Sequence, residues 1–396
     1  MGTGAAPQSY RAARPRAGGY DIEGSHRHHS IASRARPAPR RLPGGARGAT
    51  SRRDVLTNLL RPWILARLSS GVAASLLALV GLVVAWQVLR YWRVGRSSEG
   101  QLALERRAEL VATVVQVALG VAILDLLLTV LAADRLTHSI RGAMCAWGVF
   151  DASPWGFRAL ASSTAAAAAC AFWVLLHRLD LRLARPTLTR RKFAALFVVV
   201  PLLWLDLGVT AAFFLNLDLS VLATCCSVGL DDEVARNGGA GGGARLTAAL
   251  GALALGVGAA AAASRAGRGR PGPLLAWLAA LLSGTAAAFA LPAIVGYVAP
   301  HVYETPHHLC PFCLLHLDDA GGLGWPLFAG LFAATITGVG LGVLEMQRGA
   351  SEEPAEVSAF ERRLGRASAL LWLATVALGL APVLRYAWVT GGASLF

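Results

Sequence analysis

"FAALFVVVPLLWLDLGVTAAFF", Phe193–Phe214, runs for 22 residues with one charged side chain, Asp206. An α-helix rises about 1.5 Å per residue, so roughly 20 apolar residues cross the ~30 Å hydrocarbon core of a bilayer. The stretch therefore predicts a transmembrane helix. Seven more apolar blocks lie at about 71–89, 109–131, 160–176, 246–263, 274–298, 325–344 and 369–388. The 396-residue chain is 55% hydrophobic and only 15% charged, against roughly 25% charged in a soluble domain. The expectation is an all-α integral membrane helical bundle of about eight transmembrane helices, residues 68–396, preceded by a disordered basic tail, residues 1–67.

That tail holds thirteen arginines against Asp21, Glu23 and Asp54, and so supplies +10 of the net +14. It is rich in Pro, Gly, Ser and Ala and has almost no large apolar residue before Val55, a composition that favours disorder. Lys192 is the only lysine in the chain. The arginine preference therefore reads as compositional bias, and no nucleic-acid partner is expected.

The loops between blocks alternate in character. "RYWRVGRSSEGQLALERR", "HRLDLRLARPTLTRRK" and "RAGRGRPG" are basic, whereas "HVYETPHHLCPFCLLHLDDAGG" (301–322) has no Lys or Arg. Basic loops face the cytoplasm. This places the cysteine-bearing loops on the periplasmic side of a bacterial inner (cytoplasmic) membrane, in a multi-pass chain surrounded by lipid. Eight spans would put the arginine-rich tail outside as well. The rule weighs short loops beside the spans over long tails, so the loops decide the orientation.

Six cysteines are present. Cys170 lies among alanines within the third block and reads as a small buried hydrophobe. Cys145, the vicinal pair Cys225–Cys226, and Cys310 with Cys313 all fall in loops on one membrane face. Asp125 precedes Cys145 by 20 residues and Asp206 precedes Cys225 by 19, which suggests a repeated hairpin plan. An acid at mid-bilayer costs roughly 2.5–3.5 kcal/mol or more and usually faces a partner or a wet cavity. Either Asp125 and Asp206 form a proton or cation relay, or they are protonated and bonded to neighbouring helices.

Three chemistries suit the cysteines. As a dithiol, "CPFC" would place Cys310 at a helix N-cap ahead of Pro311, where amides and the helix dipole stabilise a thiolate. Cys310 would then attack, Cys313 would resolve, Cys225–Cys226 would relay, and His307 and His308 would move the proton. As a metal site, Cys310, Cys313, His308, Cys225 and Cys145 offer more than the four ligands of tetrahedral zinc, and thiolates also suit copper(I) or an iron–sulfur cluster. As structure, disulfides would staple three outer loops. Leu314 stands where c-type haem attachment requires histidine.

The combination of a C-x-x-C at the outer end of a helix with a second cysteine pair in an outer loop resembles the quinone-linked thiol oxidases of the DsbB and vitamin K epoxide reductase type. That resemblance implies Cys310 and Cys313 facing a quinone, and Cys225 and Cys226 facing a periplasmic thiol protein. Those enzymes are four-helix bundles, whereas eight spans are expected here. The blocks "RGAMCAWGVFDASPWGF", "TCCSVGL" and "HHLCPFCLLHL", in this order, also resemble a group of uncharacterised bacterial polytopic membrane proteins. This second resemblance implies that the three cysteine loops act as one site.

Overall fold

The structure, a computed structural model, describes residues 59–93, 98–185, 187–219, 241–269, 272–349, 352–393 and 395–396. The expected disordered tail before residue 59 lies outside the described residues. Among the described residues there are helices and turns and no strand.

Eight helical segments are long and apolar enough to cross a membrane, so a lipid bilayer is the chain's environment. They match the eight blocks one for one. The first four are α1 (Pro62–Tyr91), α2 (Glu99–Arg135), α4 (Gly156–Asp180) and α5 (Thr189–Leu215), with the short α3 (Ala146–Asp151) between α2 and α4. The second four are α6 (Gly241–Arg268), α7 (Pro273–Ala293), α10 (Gly324–Arg348) and α11 (Pro354–Val389). α7 runs on through a π-helical turn, Ile294–Val298, into α8 (Ala299–Tyr303). A turn of four residues, α9 (Leu317–Ala320), precedes α10.

Local chemistry sets several of these boundaries. Pro62, Pro273 and Pro354 open their helices, where a missing N–H has no cost. The Ser98 hydroxyl caps α2 by accepting from the Gln101 amide at 3.3 Å. Arg67, counted with the tail by composition, therefore lies more than a turn inside α1.

The helices form two bundles of four with the same plan. In the first, α1 and α4 each pack against both α2 and α5. In the second, α6 and α10 each pack against both α7 and α11. Four spans return the chain to its starting face, so both bundles run the same way across the membrane, as in a parallel repeat. The repeat is thus four helices long, where the Asp–Cys spacing suggested a hairpin. Asp125 and Asp206 both lie in the first bundle, on its second and fourth helices, so a hairpin repeat would be one within that bundle.

Small residues set the packing distances. A Cβ on Gly338 of α10 would fall 1.9 Å from Ser283 Oγ on α7, and the same hydroxyl accepts from Trp372 Nε1 of α11 at 3.0 Å. Without a hydrophobic force between helices in lipid, close backbone approach and hydrogen bonds of this kind hold the bundle.

The two bundles meet along α4 and α10. Leu176 and Leu179 of the first join Leu341, Leu344 and Phe360 of the second in one apolar cluster. Nearby, the Glu353 carboxylate accepts from the Ala184 and Arg185 amides at 3.0 and 2.9 Å. That latch closes the face opposite the cysteines.

Gly338→Ala is expected to destabilise the protein by about 1–3 kcal/mol, the usual cost of overpacking a tight contact. The check is the unfolding midpoint in detergent or lipid against the wild type. An unchanged midpoint would show that α7 and α10 do not need this approach.

Candidate metal centre

Each bundle sends its second interhelical loop to the same face, and the two loops meet there. Cys145 comes from the first bundle's loop, just before α3. Cys310 and Cys313 come from the second bundle's loop, between α8 and α10. Cys145 Sγ and Cys310 Sγ are 3.1 Å apart, and all three sulfur atoms lie within 4.8 Å of one another. The side chains are 2%, 0% and 8% exposed, respectively.

Phe312, between the two cysteines of "CPFC", explains why the loops converge. It packs on the end of the first bundle, with ring centroids 5.6 Å from Phe150 and 6.4 Å from Trp147. Trp147 in turn packs edge-on against Phe157 at 4.8 Å. Inserting Phe312 carries Cys310 and Cys313 to Cys145. His316 Nε2 lies 3.2 Å from an Asp134 carboxylate oxygen at the end of α2, adding a polar contact between the same loops.

The second bundle fixes its own side of the loop. The Tyr303 hydroxyl donates to the Cys313 carbonyl at 2.8 Å, and Trp325 Nε1 donates to the Leu315 carbonyl at 3.0 Å. One extra residue in a π turn rotates the downstream helix by about 100°. The turn at Ile294–Val298 thus sets where Tyr303 faces. Pro311 opens no α-helix, contrary to the expected N-cap. The Leu315 and His316 amides instead reach back to the Phe312 and Cys313 carbonyls at 3.0 and 3.1 Å. The result is one 3₁₀ turn, Cys313–Leu315, which His316 ends in extended conformation. A lone turn has no helix dipole with which to activate Cys310.

His308 stacks on Tyr303 with ring centroids 3.8 Å apart. Its Nε2 is buried and makes no hydrogen bond among the described residues. Burial holds its pKa below the ordinary histidine value, with the Cys145 thiol opposing that shift. Neutral imidazole is the form that binds metals. His307 is exposed. Cys225 and Cys226 lie outside the described residues. Cys170 is fully buried in the first bundle's core, away from the cluster.

Asp125 and Asp206 lie near each other, in the first bundle rather than at the thiols, and Arg67 connects them. Arg67 Nη2 is 2.5 Å from Asp206 Oδ2 and Arg67 Nη1 is 3.5 Å from Asp125 Oδ2. Sequence reasoning left out Arg67, Phe312 and Tyr303. Only Arg67 left a signal, because two acids within spans require a base and it stands at the start of one.

Three cysteine sulfurs this close together make a soft-metal ligand set. A disulfide brings two sulfurs to about 2.05 Å, well inside the 3.1 Å seen between Cys145 and Cys310. Zinc–thiolate bonds of about 2.3 Å put tetrahedral ligands roughly 3.8 Å apart, a spacing within the 4.8 Å limit found here. His308, stacked on the Tyr303 that packs against the cysteines, is not one of the residues whose ligand atoms lie within 4.8 Å of one another. No family model, curated protein or solved structure matches this chain.

Phe312→Ala is expected to cost about 2–3 kcal/mol, below the usual range for a fully buried phenylalanine because this ring is half-buried. It should also slow crosslinking of Cys145 to Cys310 by a short bifunctional thiol reagent severalfold. Unchanged crosslinking would mean that another contact brings the two loops together.

Proposed function

We propose that the protein binds a soft metal ion, copper(I) or zinc, at the point where its two bundles meet. The observation that carries this reading is the convergence of Cys145, Cys310 and Cys313, drawn from both bundles and all buried. Thiolates select copper(I) and zinc over harder cations. A fourth donor would come from His308 or from the Cys225–Cys226 pair. Binding requires deprotonated thiols, so it releases protons and weakens as pH falls. The basic loops favour an orientation with this site on the periplasmic side of a bacterial inner membrane, where it would take up or hand on the ion.

A second reading is thiol–disulfide exchange, and one observation favours it. Each half of the chain is itself a four-helix bundle, the helix number of the quinone-linked thiol oxidases that the loops resemble. The reactive pair would then be Cys145 and Cys310, whose sulfurs are 3.1 Å apart, in place of Cys310 and Cys313. Closing that disulfide would pass two electrons and two protons to a quinone, and a periplasmic thiol protein would reopen it by giving up two electrons and two protons as its own disulfide forms. Complete burial of Cys310 weighs against direct attack by a protein thiol, and metal binding is the preferred reading.

Metal analysis of the purified protein, with thiol trapping alongside, separates the two. About one copper or zinc ion per chain is expected, falling at least tenfold in affinity for Cys145→Ser and for Cys310→Ser. Cys170→Ser should retain the ion, because Cys170 stands apart from the cluster. Metal-free protein whose Cys145–Cys310 pair cycles with a quinone would overturn the metal reading.

A further inference from the structure

The first bundle holds a second polar site, independent of the thiols and of any metal bound to them. Arg67 of α1 is fully buried. Its Nε donates to Thr129 Oγ1 of α2 at 2.7 Å, and its Nη2 reaches Asp206 of α5 at 2.5 Å and Ser163 of α4 at 3.4 Å. One guanidinium therefore touches every other helix of its bundle. Asp125 and Asp206, 3% and 5% exposed, are the acids facing it. Cys170 of α4 is a further titratable group within electrostatic reach of both.

The two acids differ in their hydrogen bonding. Asp206 is surrounded by donors: Arg67 on Oδ2, and on Oδ1 Ser163 at 2.6 Å and Thr210 at 3.3 Å, while Ser162 at 3.1 Å divides its proton between Oδ1 and the Ala159 carbonyl. An acceptor-only partner fits there, which is an ionised carboxylate. Asp125 has Ser70 Oγ 2.5 Å from Oδ1, but that hydroxyl is also 3.1 Å from the Arg67 carbonyl oxygen. Serine has one proton to give. If it goes to the carbonyl, the proton in the short contact belongs to Asp125. Asp125 Oδ2 is 3.5 Å from Arg67 Nη1, beyond an ordinary hydrogen bond, and that buried nitrogen makes none among the described residues.

Charge leads to the same assignment. One guanidinium neutralises one carboxylate, and a second ionised acid would leave a net negative charge buried within the bilayer, which is costly. We infer that Asp125 is a proton-binding site inside the membrane domain, donating to Ser70 Oγ when protonated. On losing the proton, its Oδ2 closes onto the waiting Arg67 Nη1. Gly71 keeps the space open, since a Cβ there would lie 2.7 Å from Nη1.

Infrared spectroscopy of the full-length protein in lipid vesicles tests this. At neutral pH, the wild-type-minus-Asp125→Asn difference spectrum should contain one protonated-carboxyl band that shifts in heavy water. Ser70→Ala should move that band without removing it, and Ser163→Ala should leave it in place. A difference spectrum without the band overturns the inference. So does a band that responds to Ser163→Ala and not to Ser70→Ala. If Asp125→Asn does not fold, the two serine variants still decide, because an unmoved band in Ser70→Ala excludes Asp125 as its source.

Discussion

A charge placed in a bilayer must find its partners inside the protein, and Arg67 meets that constraint with the whole first bundle. Its donors reach α2, α4 and α5 from α1, so the four helices share one polar anchor. Removing Arg67 would strand acidic groups without their cation, and breaking a buried pair costs about 3–5 kcal/mol. The second bundle has its own arginine between two acids, Arg348 with Glu345 and the buried Glu361, which links α10 to α11 at the ends of those helices. Its half nearest the cysteine loops holds a cavity of about 200 Å³ lined by residues such as Leu250, Ile294, Trp372 and Leu380. Away from that arginine, its order comes from close contacts such as Gly338 on Ser283. Two copies of one helical plan thus place their charges differently: in the first an arginine reaches all three other helices, in the second an arginine joins two helices near their ends and close contacts hold the middle.

The cysteine cluster belongs to neither bundle. Cys145 comes from one, Cys310 and Cys313 from the other, and Phe312 holds the loops together from between the last two. A site built this way exists only while the bundles are docked. The opposite face is joined separately, through Glu353 and the leucines of α4 and α10. A bond between the thiols would therefore tie the bundles at the end that the Glu353 latch does not hold.

The eight spans were legible because length and hydropathy report directly on the bilayer. The cysteine loops were legible too, since helix parity puts every second loop on one face. The fourfold repeat was not, because helix neighbours follow from tertiary packing and the two halves share little residue pattern. The spacing of Asp125 and Asp206 suggested a repeat, but not that the two acids meet: helices two and four of one bundle pass the same arginine. Composition assigned Arg67 to the tail because it stands among other arginines. Its depth became visible only once α1 was seen to start at Pro62. The dithiol reading of "CPFC" treated Phe312 as a spacer, yet it is the residue that fixes the pair's position.

Burial decides how the thiols can be reached. A thiol that exchanges with a protein partner needs an open line for in-line attack by another sulfur, and Cys310 is 0% exposed beneath its own loop. A metal ion is small and needs no such approach by a macromolecule. It also tolerates the arrangement seen here, in which sulfurs from the two bundles stand a few ångströms apart, with Tyr303 packed against them and carrying the stacked His308 ring. A disulfide uses only two of the three sulfurs and leaves the third without a role. A thiolate-bound cation uses all three, and its positive charge would offset the thiolate charge that burial otherwise disfavours.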